Sequence, residues 1–305
     1  MSTSVTITGT GCPIPDANRA GPGALVRCDD ITLQFDVGRS TVQRLAGANV
    51  WIPDLTAVFL THHHSDHVTG LADLVLTGWV MDRTDASPPL PIIAPTGPAA
   101  SFAAQVLDGW DDDIEVRSGH AGRTTRPEVD VISFDMPDTP EEVWRHGDVV
   151  VTAGAVRHEP CPLAVGYRVD TPDGSVAISG DTRVCDEVAQ LAEGVDVLVY
   201  EAMQFSFFDD LPTRRQFVRD YHADTPLIGK QAAELGIPKL ILTHLIPAPT
   251  TEAEKQSFID DIRNVGYEGE LVVADDLYTC AVGTGGLPEV QRINHSREQS
   301  PSPQA

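Results

Sequence analysis

Four histidines and one aspartate lie within six consecutive positions of this 305-residue chain, in the stretch THHHSDHVTG at 61–70. In an extended segment alternate side chains point the same way, so His62 and His64 can face one metal ion. Asp66 and His67 follow as the chain turns, and they can face a second ion. Imidazole nitrogen and carboxylate oxygen suit Zn²⁺, and His-rich tracts favour metal binding. The stretch therefore predicts a metal site; a polar surface loop with a chance run of histidines is the alternative.

The elements around this cluster place it at the end of a strand. The apolar run 55–60 predicts a buried strand, and the apolar spacing after Gly70 predicts a helix over 68–82. Open α/β folds usually keep their sites in loops at the carboxyl ends of strands. Three further candidate ligands each follow a predicted strand: His158 after 149–156, Asp181 after 175–179 and His244 after 240–242. Each alone is more often structural, but together they predict convergence on one edge of a sheet.

The formal net charge of −24 bears on the partners of the chain. A polyanion such as RNA would be repelled on approach unless basic residues cluster locally. The densest basic group is Arg214, Arg215 and Arg219, and we interpret it as a solvated helix face. The sequence therefore predicts a small-molecule partner and disfavours nucleic acid, although two zinc ions would add local positive charge.

Composition and the chain ends lead to further expectations. No apolar stretch approaches the roughly 18 residues that a membrane span needs, and the N-terminal segment lacks the features of a signal peptide. The five cysteines are odd in number and scattered, which favours reduced thiols and a cytoplasmic location without membrane association. We expect a single domain over 1–282 and a disordered tail over 283–305.

Two stretches are expected to surround the site. Residues 111–147 are acidic and are predicted to be irregular loops that shape substrate binding. The aromatic-rich stretch 205–222 is expected to cover the site, and it ends at His222. The predicted strand 196–200 delivers Glu201.

Several motifs resemble the metallo-β-lactamase superfamily, in the branch of ribonuclease Z and the zinc-dependent arylsulfatases. They are GTGCPIPDANRAGP, FDVGR, FLTHHHSDHVTGL, GYRV, ISGDT, YEAM and LILTHLIP, spread over about residues 4–280. The resemblance implies an α/β (α+β) fold, a four-layer αββα sandwich, with two Zn²⁺ per chain at the sheet edge and a homodimer. It implies one zinc on His62, His64 and His158, another on Asp66, His67 and His244, and Asp181 bridging them. Fe²⁺ or Mn²⁺ would fit the same ligands.

The resemblance also implies roles beyond metal binding. Glu201 and His222 match a Glu–His pair that assists catalysis in ribonuclease Z, and Asp66 is expected to orient the nucleophile. Asp36 in FDVGR would orient a metal-binding histidine. The structural alternatives are that His222 caps a helix, that Glu201 packs at a strand end, and that Asp36 forms a turn before Gly38.

Three departures from ribonuclease Z affect the transfer. Tyr200 stands where ribonuclease Z has a histidine. The connection between His158 and Asp181 is too short for the tRNA-gripping arm. The segment HADTPLIGKQAA is closer to the arylsulfatase-like form but one residue longer, which leaves the role of His222 open.

Together these features predict a binuclear-zinc hydrolase of a small ester, of the aryl sulfate or phosphodiester type. A metal-bridging hydroxide would attack, the zinc ions would stabilise charge, and His222 with Glu201 would protonate the leaving oxygen. A lactone or a halogenated aromatic is a further candidate substrate. The alternatives are a ribonuclease Z-type tRNA 3′-processing endonuclease and a non-catalytic metal-binding or sensing protein.

Overall fold

A computed structural model describes residues 2–82, 84–86, 88–210, 212 and 216–283, which form two seven-stranded β-sheets. The first half of the chain contributes the strands β1 (Thr3–Gly9), β2 (Gly23–Cys28), β3 (Ile31–Phe35), β4 (Ala57–Phe59), β5 (Leu90–Pro95) and β6 (Val129–Phe134). Its helices are α1 (Thr41–Gly47), α2 (Ser65–Val68), α3 (Leu71–Met81), α4 (Pro98–Ala104) and α5 (Asp111–Ala121).

The second half of the chain builds the second sheet. Its strands are β7 (Glu141–His146), β8 (Val149–Ala155), β9 (Val165–Thr171), β10 (Gly174–Ile178), β11 (Val197–Met203), β12 (Lys239–Ile246) and β13 (Glu270–Val273). Its helices are α6 (Asp186–Leu191), α7 (Thr225–Glu234) and α8 (Glu252–Asn264). The last described strand, β14 (Thr279–Ala281), returns to the first sheet and pairs with β1.

The two sheets repeat one arrangement. The strand orders are β14-β1-β2-β3-β4-β5-β6 and β13-β12-β11-β10-β9-β8-β7. In each sheet four strands pair antiparallel, and three more are then added in parallel, starting at β4 and at β11. Parallel strands end on the same edge of a sheet, so each sheet offers one edge on which loop residues collect.

Three apolar layers separate four layers of secondary structure. The middle layer lies between the sheets and includes the packed rings of Phe35, Phe59 and Tyr167. A second layer packs α1, α3 and α4 onto the first sheet, and a third packs α6, α7 and α8 onto the second. The predicted α/β (α+β) fold, a four-layer αββα sandwich, is confirmed.

Residues 111–147 are more regular than predicted. They contain α5, β6 and β7. Both strands lie at the edge of their sheets, and most of their side chains are at least partly exposed. An edge strand buries fewer side chains than a central strand, so its apolar signal in the sequence is weaker. The prediction of an irregular stretch is therefore wrong.

The remaining sequence expectations concern the C-terminal tail, the basic group, membrane spans and the cysteines. The part of the predicted tail from residue 284 onward lies outside the described residues, as do Arg214 and Arg215. None of the described helices has the length and apolarity needed to cross a membrane. The five cysteines, all within the described residues, are free thiols: Cys12, Cys28, Cys161, Cys185 and Cys280.

The loop that follows β4 is tied to the second sheet. The Tyr167 hydroxyl donates a hydrogen bond of 2.7 Å to the Leu60 carbonyl, and the Val165 amide donates one of 3.0 Å to the Thr61 carbonyl. Gly180 has a φ of +61°, and a Cβ there would lie 2.8 Å from the Val165 carbonyl oxygen. These contacts hold the start of the histidine cluster against the loop that follows β10.

Gly38 lies where three backbone segments meet. A Cβ at this position would lie 2.4 Å from the carbonyl carbon of Gly21 and 2.5 Å from the backbone oxygen of Asp66. A Cβ on Gly70 would in turn lie 2.3 Å from the Gly38 carbonyl oxygen. The position of Asp66 therefore depends on backbone packing that only glycine permits.

We expect Gly38→Ala to destabilise the fold by about 1–3 kcal/mol, because the added methyl group must displace backbone atoms. It should also lower metal content, since one displaced segment carries Asp66. Thermal unfolding and elemental analysis would measure both effects. Gly119→Ala is the matched control, because position 119 lies in α5 with open space around a Cβ. Equal stability and metal content in both variants would contradict this account of Gly38.

Candidate metal centre

The first half of the chain presents its cluster on a short extended segment and one turn of helix. His64 has extended backbone angles at the N-terminus of α2. His62 is buried and His64 partly exposed, while His63 between them is exposed. Asp66 and His67 lie in α2 and are buried. The alternation expected of an extended segment is therefore present, and it turns His62 and His64 toward the same site.

The second half of the chain supplies three more residues. His158 follows β8 and Asp181 follows β10, as predicted. His244 lies within β12 rather than after it, at a bulge where the pairing with β11 passes from Thr243 to Leu245. Its φ is +45°. Bulges re-aim side chains, and this one turns His244 toward the other ligand candidates.

One carboxylate oxygen lies at the centre of the cluster. Asp181 Oδ2 is 3.2 Å from His67 Nε2, 3.3 Å from His244 Nε2, 3.8 Å from His158 Nε2 and 3.9 Å from His62 Nε2. Asp181 is buried, as are the four histidines. The arrangement places one charged oxygen between imidazoles from both halves of the chain.

The seven candidate ligands fall into two groups, and within each the ligand atoms lie within 4.8 Å of one another. The groups are His62, His64, His158 and Asp181, and Asp66, His67 and His244. Asp181 Oδ2 adjoins the second group as well, through its contacts with His67 and His244. The structure thus brings all seven residues together. A third group within the same distance joins Asp181 and His244 to His222.

Asp36 orients the first half of the cluster. His67 Nδ1 donates a hydrogen bond of 2.7 Å to Asp36 Oδ2. The Thr61 hydroxyl donates to the same oxygen at 2.8 Å, so its own oxygen accepts from His62 Nδ1 at 3.0 Å. One carboxylate therefore fixes the tautomer and ring orientation of two candidate ligands, as expected of a residue that supports a metal site.

The free ring nitrogens test whether the cluster fits a metal. His158 Nδ1 donates to the Tyr221 carbonyl at 2.8 Å, which leaves its Nε2 facing His64 Nδ1 at 3.1 Å. His62 Nε2 and His67 Nε2 are buried without a hydrogen-bond partner. Buried polar atoms are almost always paired, so the unprotonated His62 Nε2 requires a partner that accepts electron density. His67 Nε2 faces Asp181 Oδ2 at 3.2 Å. A divalent cation of the Zn²⁺, Fe²⁺ or Mn²⁺ class fits this donor set.

The protonation states of His62, His158 and Asp181 suit metal binding. Burial lowers the pKa of His158 to about 4 and holds the pKa of His62 well below its usual value. Both rings are therefore neutral near pH 7. Burial alone would raise the pKa of Asp181, but His244 and His67 outweigh it and hold this pKa well below its ordinary value. Asp181 is therefore a carboxylate. Burial disfavours the charge on His67, but Asp181 and Asp36 outweigh it and raise the pKa of His67 well above its usual value.

Glu201 and His222 form a buried pair beside the cluster. His222 Nδ1 lies 2.9 Å from Glu201 Oε1 and 3.0 Å from Oε2, and the Thr182 amide donates to Oε1 at 2.8 Å. The His222 ring lies 5.3 Å from the His158 ring and 5.4 Å from that of His244. Burial disfavours the charge on His222, but the Glu201 carboxylate outweighs it and raises the pKa to about 9.

Tyr200 does not belong to this site. Its side chain is buried on the helix side of β11, where its hydroxyl donates a hydrogen bond of 3.2 Å to Gln231 on α7. Successive side chains of a strand point to opposite faces, so Glu201 faces the metal centre and Tyr200 faces away. The replacement of histidine by tyrosine here leaves the lining of the centre unchanged.

Some supporting groups have no signal in the sequence. The Thr182 amide and the Tyr221 carbonyl act through the backbone, which any residue type provides. The Thr61 hydroxyl could have been found from its place next to the histidine run, because a hydroxyl there is within reach of a neighbouring ring.

Comparison with known proteins shows the family to which this chain belongs. The profile described as the beta-lactamase superfamily domain matches residues 33–245, a span that contains all seven candidate ligands, Glu201 and His222. The chain belongs to the beta-lactamase superfamily. Ribonuclease Z of Mycolicibacterium gilvum (strain PYR-GCK) is 35% identical over 286 residues, which cover 92% of this chain and 96% of the relative. The predicted membership in the ribonuclease Z branch of this superfamily is therefore confirmed.

Solved structures agree with the superfamily fold. The metallo-beta-lactamase fold protein YhfI from Bacillus subtilis has a TM-score of 0.68 at 22% identity, covering 92% of this chain and 100% of that one. The short form of human tRNase Z has a TM-score of 0.63 at 20% identity, covering 91% and 98%. At these identities the likeness shows the fold alone. With its ligand cluster, this member of the superfamily is a metal-dependent hydrolase.

These relatives correct two predictions. The prediction of a small-ester hydrolase of the aryl sulfate type is wrong, because the ribonuclease Z relatives support the alternative. The prediction that nucleic acid is disfavoured is wrong for the same reason. It rested on a net charge of −24, which sums over the whole chain and does not describe the field at one site. Bound divalent cations would outweigh the carboxylates that face the centre.

We expect Asp36→Asn to weaken metal binding by about 10- to 100-fold, the usual effect of losing a residue that supports a ligand. An asparagine could accept from only one of two donors, His67 Nδ1 or the Thr61 amide, because its NH₂ group would have to face the other. Competition with a chelator would measure the affinity. Asp30→Asn, at an exposed position in the turn between β2 and β3, is the control. If both variants bound metal as tightly as the parent protein, Asp36 would not hold His67 in its binding orientation.

Proposed function

We propose that this chain is a ribonuclease Z-type endonuclease that hydrolyses pre-tRNA at the start of its 3′ trailer. The observation that carries the proposal is the buried Glu201–His222 pair beside two groups of metal ligands. Support also comes from a relative named ribonuclease Z that is covered over 96% of its length. We assign the activity to a single domain over residues 1–282.

Two Zn²⁺ per chain are part of the proposal. His62, His64 and His158 would hold one ion, Asp66, His67 and His244 the other, and Asp181 would contribute to both. A bound zinc pair lowers the pKa of water to about 7 and neutralises charge on phosphate oxygens. His62 and His158 are neutral and Asp181 is ionised, so these three residues can bind without first releasing a proton. His67 would release one on binding, because Asp181 and Asp36 outweigh its burial and raise its pKa well above the usual value.

The other residues of the site would orient the attacking water and donate a proton to the leaving oxygen. Asp66 Oδ2 lies 3.4 Å from His244 Nε2, within the second ligand group, where it can orient the attacking water. His222 carries a proton near pH 7 because Glu201 stabilises its charge. That proton can pass to the bridging oxygen that leaves phosphorus. The Thr182 amide holds Glu201 in place for this task.

The zinc-loaded protein should cut a pre-tRNA once, at the start of its 3′ trailer. Asp181→Ala should lose metal and cleavage together, because Asp181 touches both ligand groups. Gel analysis of end-labelled RNA and elemental analysis would measure the two effects. An established ribonuclease Z acting on the same RNA is the positive control. If the metal-loaded protein left an RNA intact that the control enzyme cuts, the proposed function would be wrong.

His222→Ala should keep its metal but lose about 10²- to 10⁴-fold in cleavage rate, the usual contribution of a general acid. A substrate with sulfur in place of the leaving bridging oxygen needs little protonation. We therefore expect this substrate to restore most of the lost rate to His222→Ala. Substrates with sulfur on either side of the phosphorus identify the leaving atom. Equal losses on oxygen and sulfur substrates would exclude a proton-donating role for His222.

A further inference from the structure

The segment between β11 and α7 presents aromatic rings at the mouth of the metal centre. Two short 3₁₀ turns, Phe205–Phe208 and Phe217–Asp220, are described in it. Phe217 is 56% exposed and Phe207 is 53% exposed. Contiguous exposed apolar patches mark surfaces that receive a ligand, whereas single exposed residues are common. The contacts of each ring therefore decide which of the two applies.

A row of rings leads from Phe217 to the candidate ligands. The Phe217 ring lies 6.1 Å from that of Tyr221, which is itself half-buried. The Tyr221 ring lies 4.8 Å from the His222 ring and 5.2 Å from the His158 ring. The exposed aromatic surface is thus continuous with the metal centre. From Phe217, two successive ring contacts lead to His158 and His222.

Arg219 holds this segment together. Its guanidinium group donates hydrogen bonds to the Phe205 carbonyl and to Asp209 Oδ1, the latter at 2.9 Å. The same group lies 5.7 Å from the Phe205 ring and 5.9 Å from the Phe208 ring, within the range of cation–π contacts. Arg219 is therefore not the solvated helix residue that the sequence predicts. It fixes the turn on which Phe217 and Tyr221 are carried.

We propose that Phe217 and Tyr221 stack an unpaired nucleobase of the RNA that flanks the scissile phosphate. This inference rests on the proposed function, and it names how that substrate is held. Every base has a π-face, so an aromatic platform binds single-stranded RNA with little regard to sequence. A trailer that varies in sequence requires contacts of this kind.

Charge supports the same assignment. Binding of RNA through phosphates needs lysines and arginines, and this chain has 21 of them against 45 acidic residues. Stacking supplies affinity that does not depend on the net charge of the protein. An aliphatic partner or a second copy of the chain could also cover Phe217. Neither would use the continuity of the aromatic row with His158 and His222, whereas a base attached to the scissile phosphate must lie close to both.

The first test compares variants of two equally exposed phenylalanines. We expect Phe217→Ala to raise KM for pre-tRNA about tenfold, the effect of losing one stacked base, with little change in kcat. Phe217→Trp should keep KM near that of the parent enzyme, because it retains a flat ring. Phe207→Ala is the matched control, since among the described residues its ring packs on Phe208 and on none of the rings of the row. It should leave KM unchanged.

The second test removes the base instead of the ring. Pre-tRNAs with a single abasic nucleotide at successive positions around the cleavage site would be assayed with the parent enzyme and Phe217→Ala. At one position we expect the abasic change to raise KM of the parent enzyme about tenfold and that of Phe217→Ala much less. Such non-additivity is the signature of two groups that touch.

The outcomes separate the two proposals. If the parent enzyme failed to cut pre-tRNA, the proposed function and this inference would both be lost. Cleavage by the parent enzyme with an unchanged KM in Phe217→Ala would overturn the inference alone. So would effects that add at every abasic position, or a change of oligomeric state in Phe217→Ala seen by light scattering, which would show that protein covers this ring.

Discussion

Four imidazole nitrogens directed at one buried carboxylate oxygen, Asp181 Oδ2, are the constraint on which the structure depends. Two of these nitrogens, on His62 and His158, are unprotonated near pH 7, and a buried polar atom that has no partner costs free energy. The second nitrogen of His67 is held by Asp36, and that of His158 by the Tyr221 carbonyl, so neither ring can rotate to escape. These nitrogens therefore favour binding of a cation. The two sheets and their loops hold the nitrogens in this arrangement.

The parts of the site that lie close together in the sequence could be predicted from it. His62 to His67 have a spacing that dictates which side chains share a face, and that spacing holds for any extended segment followed by a turn. The position of His244 could not be derived in the same way. It depends on a bulge in β12, and an apolar strand sequence contains no sign of where one extra residue will be inserted. The edge strands β6 and β7 are also harder to predict, because none of their side chains is fully buried. Their apolar residues, such as Val131 and Trp144, pack against the core but stay partly exposed.

Net charge and single departures from a motif were poor guides to the substrate. A net charge of −24 bears on solubility and on long-range repulsion. The reactivity of a scissile bond depends on the groups within a few ångströms of it. The tyrosine at position 200 looked like a change in the catalytic machinery, yet its side chain lies on the far face of the strand from Glu201. A substitution in a motif has meaning only when the face of the element that it occupies is known. The face that a residue occupies is known from the fold and not from a comparison of sequences.

The division of the ligands between the two sheets has a consequence for the whole molecule. His62, His64, Asp66 and His67 come from the first sheet, and His158, Asp181 and His244 from the second. A cation in this centre is bound only when the two sheets are docked, so it favours the native state by mass action, by an amount that grows with the logarithm of free metal concentration. The metal ion that would take part in hydrolysis would therefore also hold the two sheets together. The thermal stability of the protein should therefore rise with the free metal concentration around it.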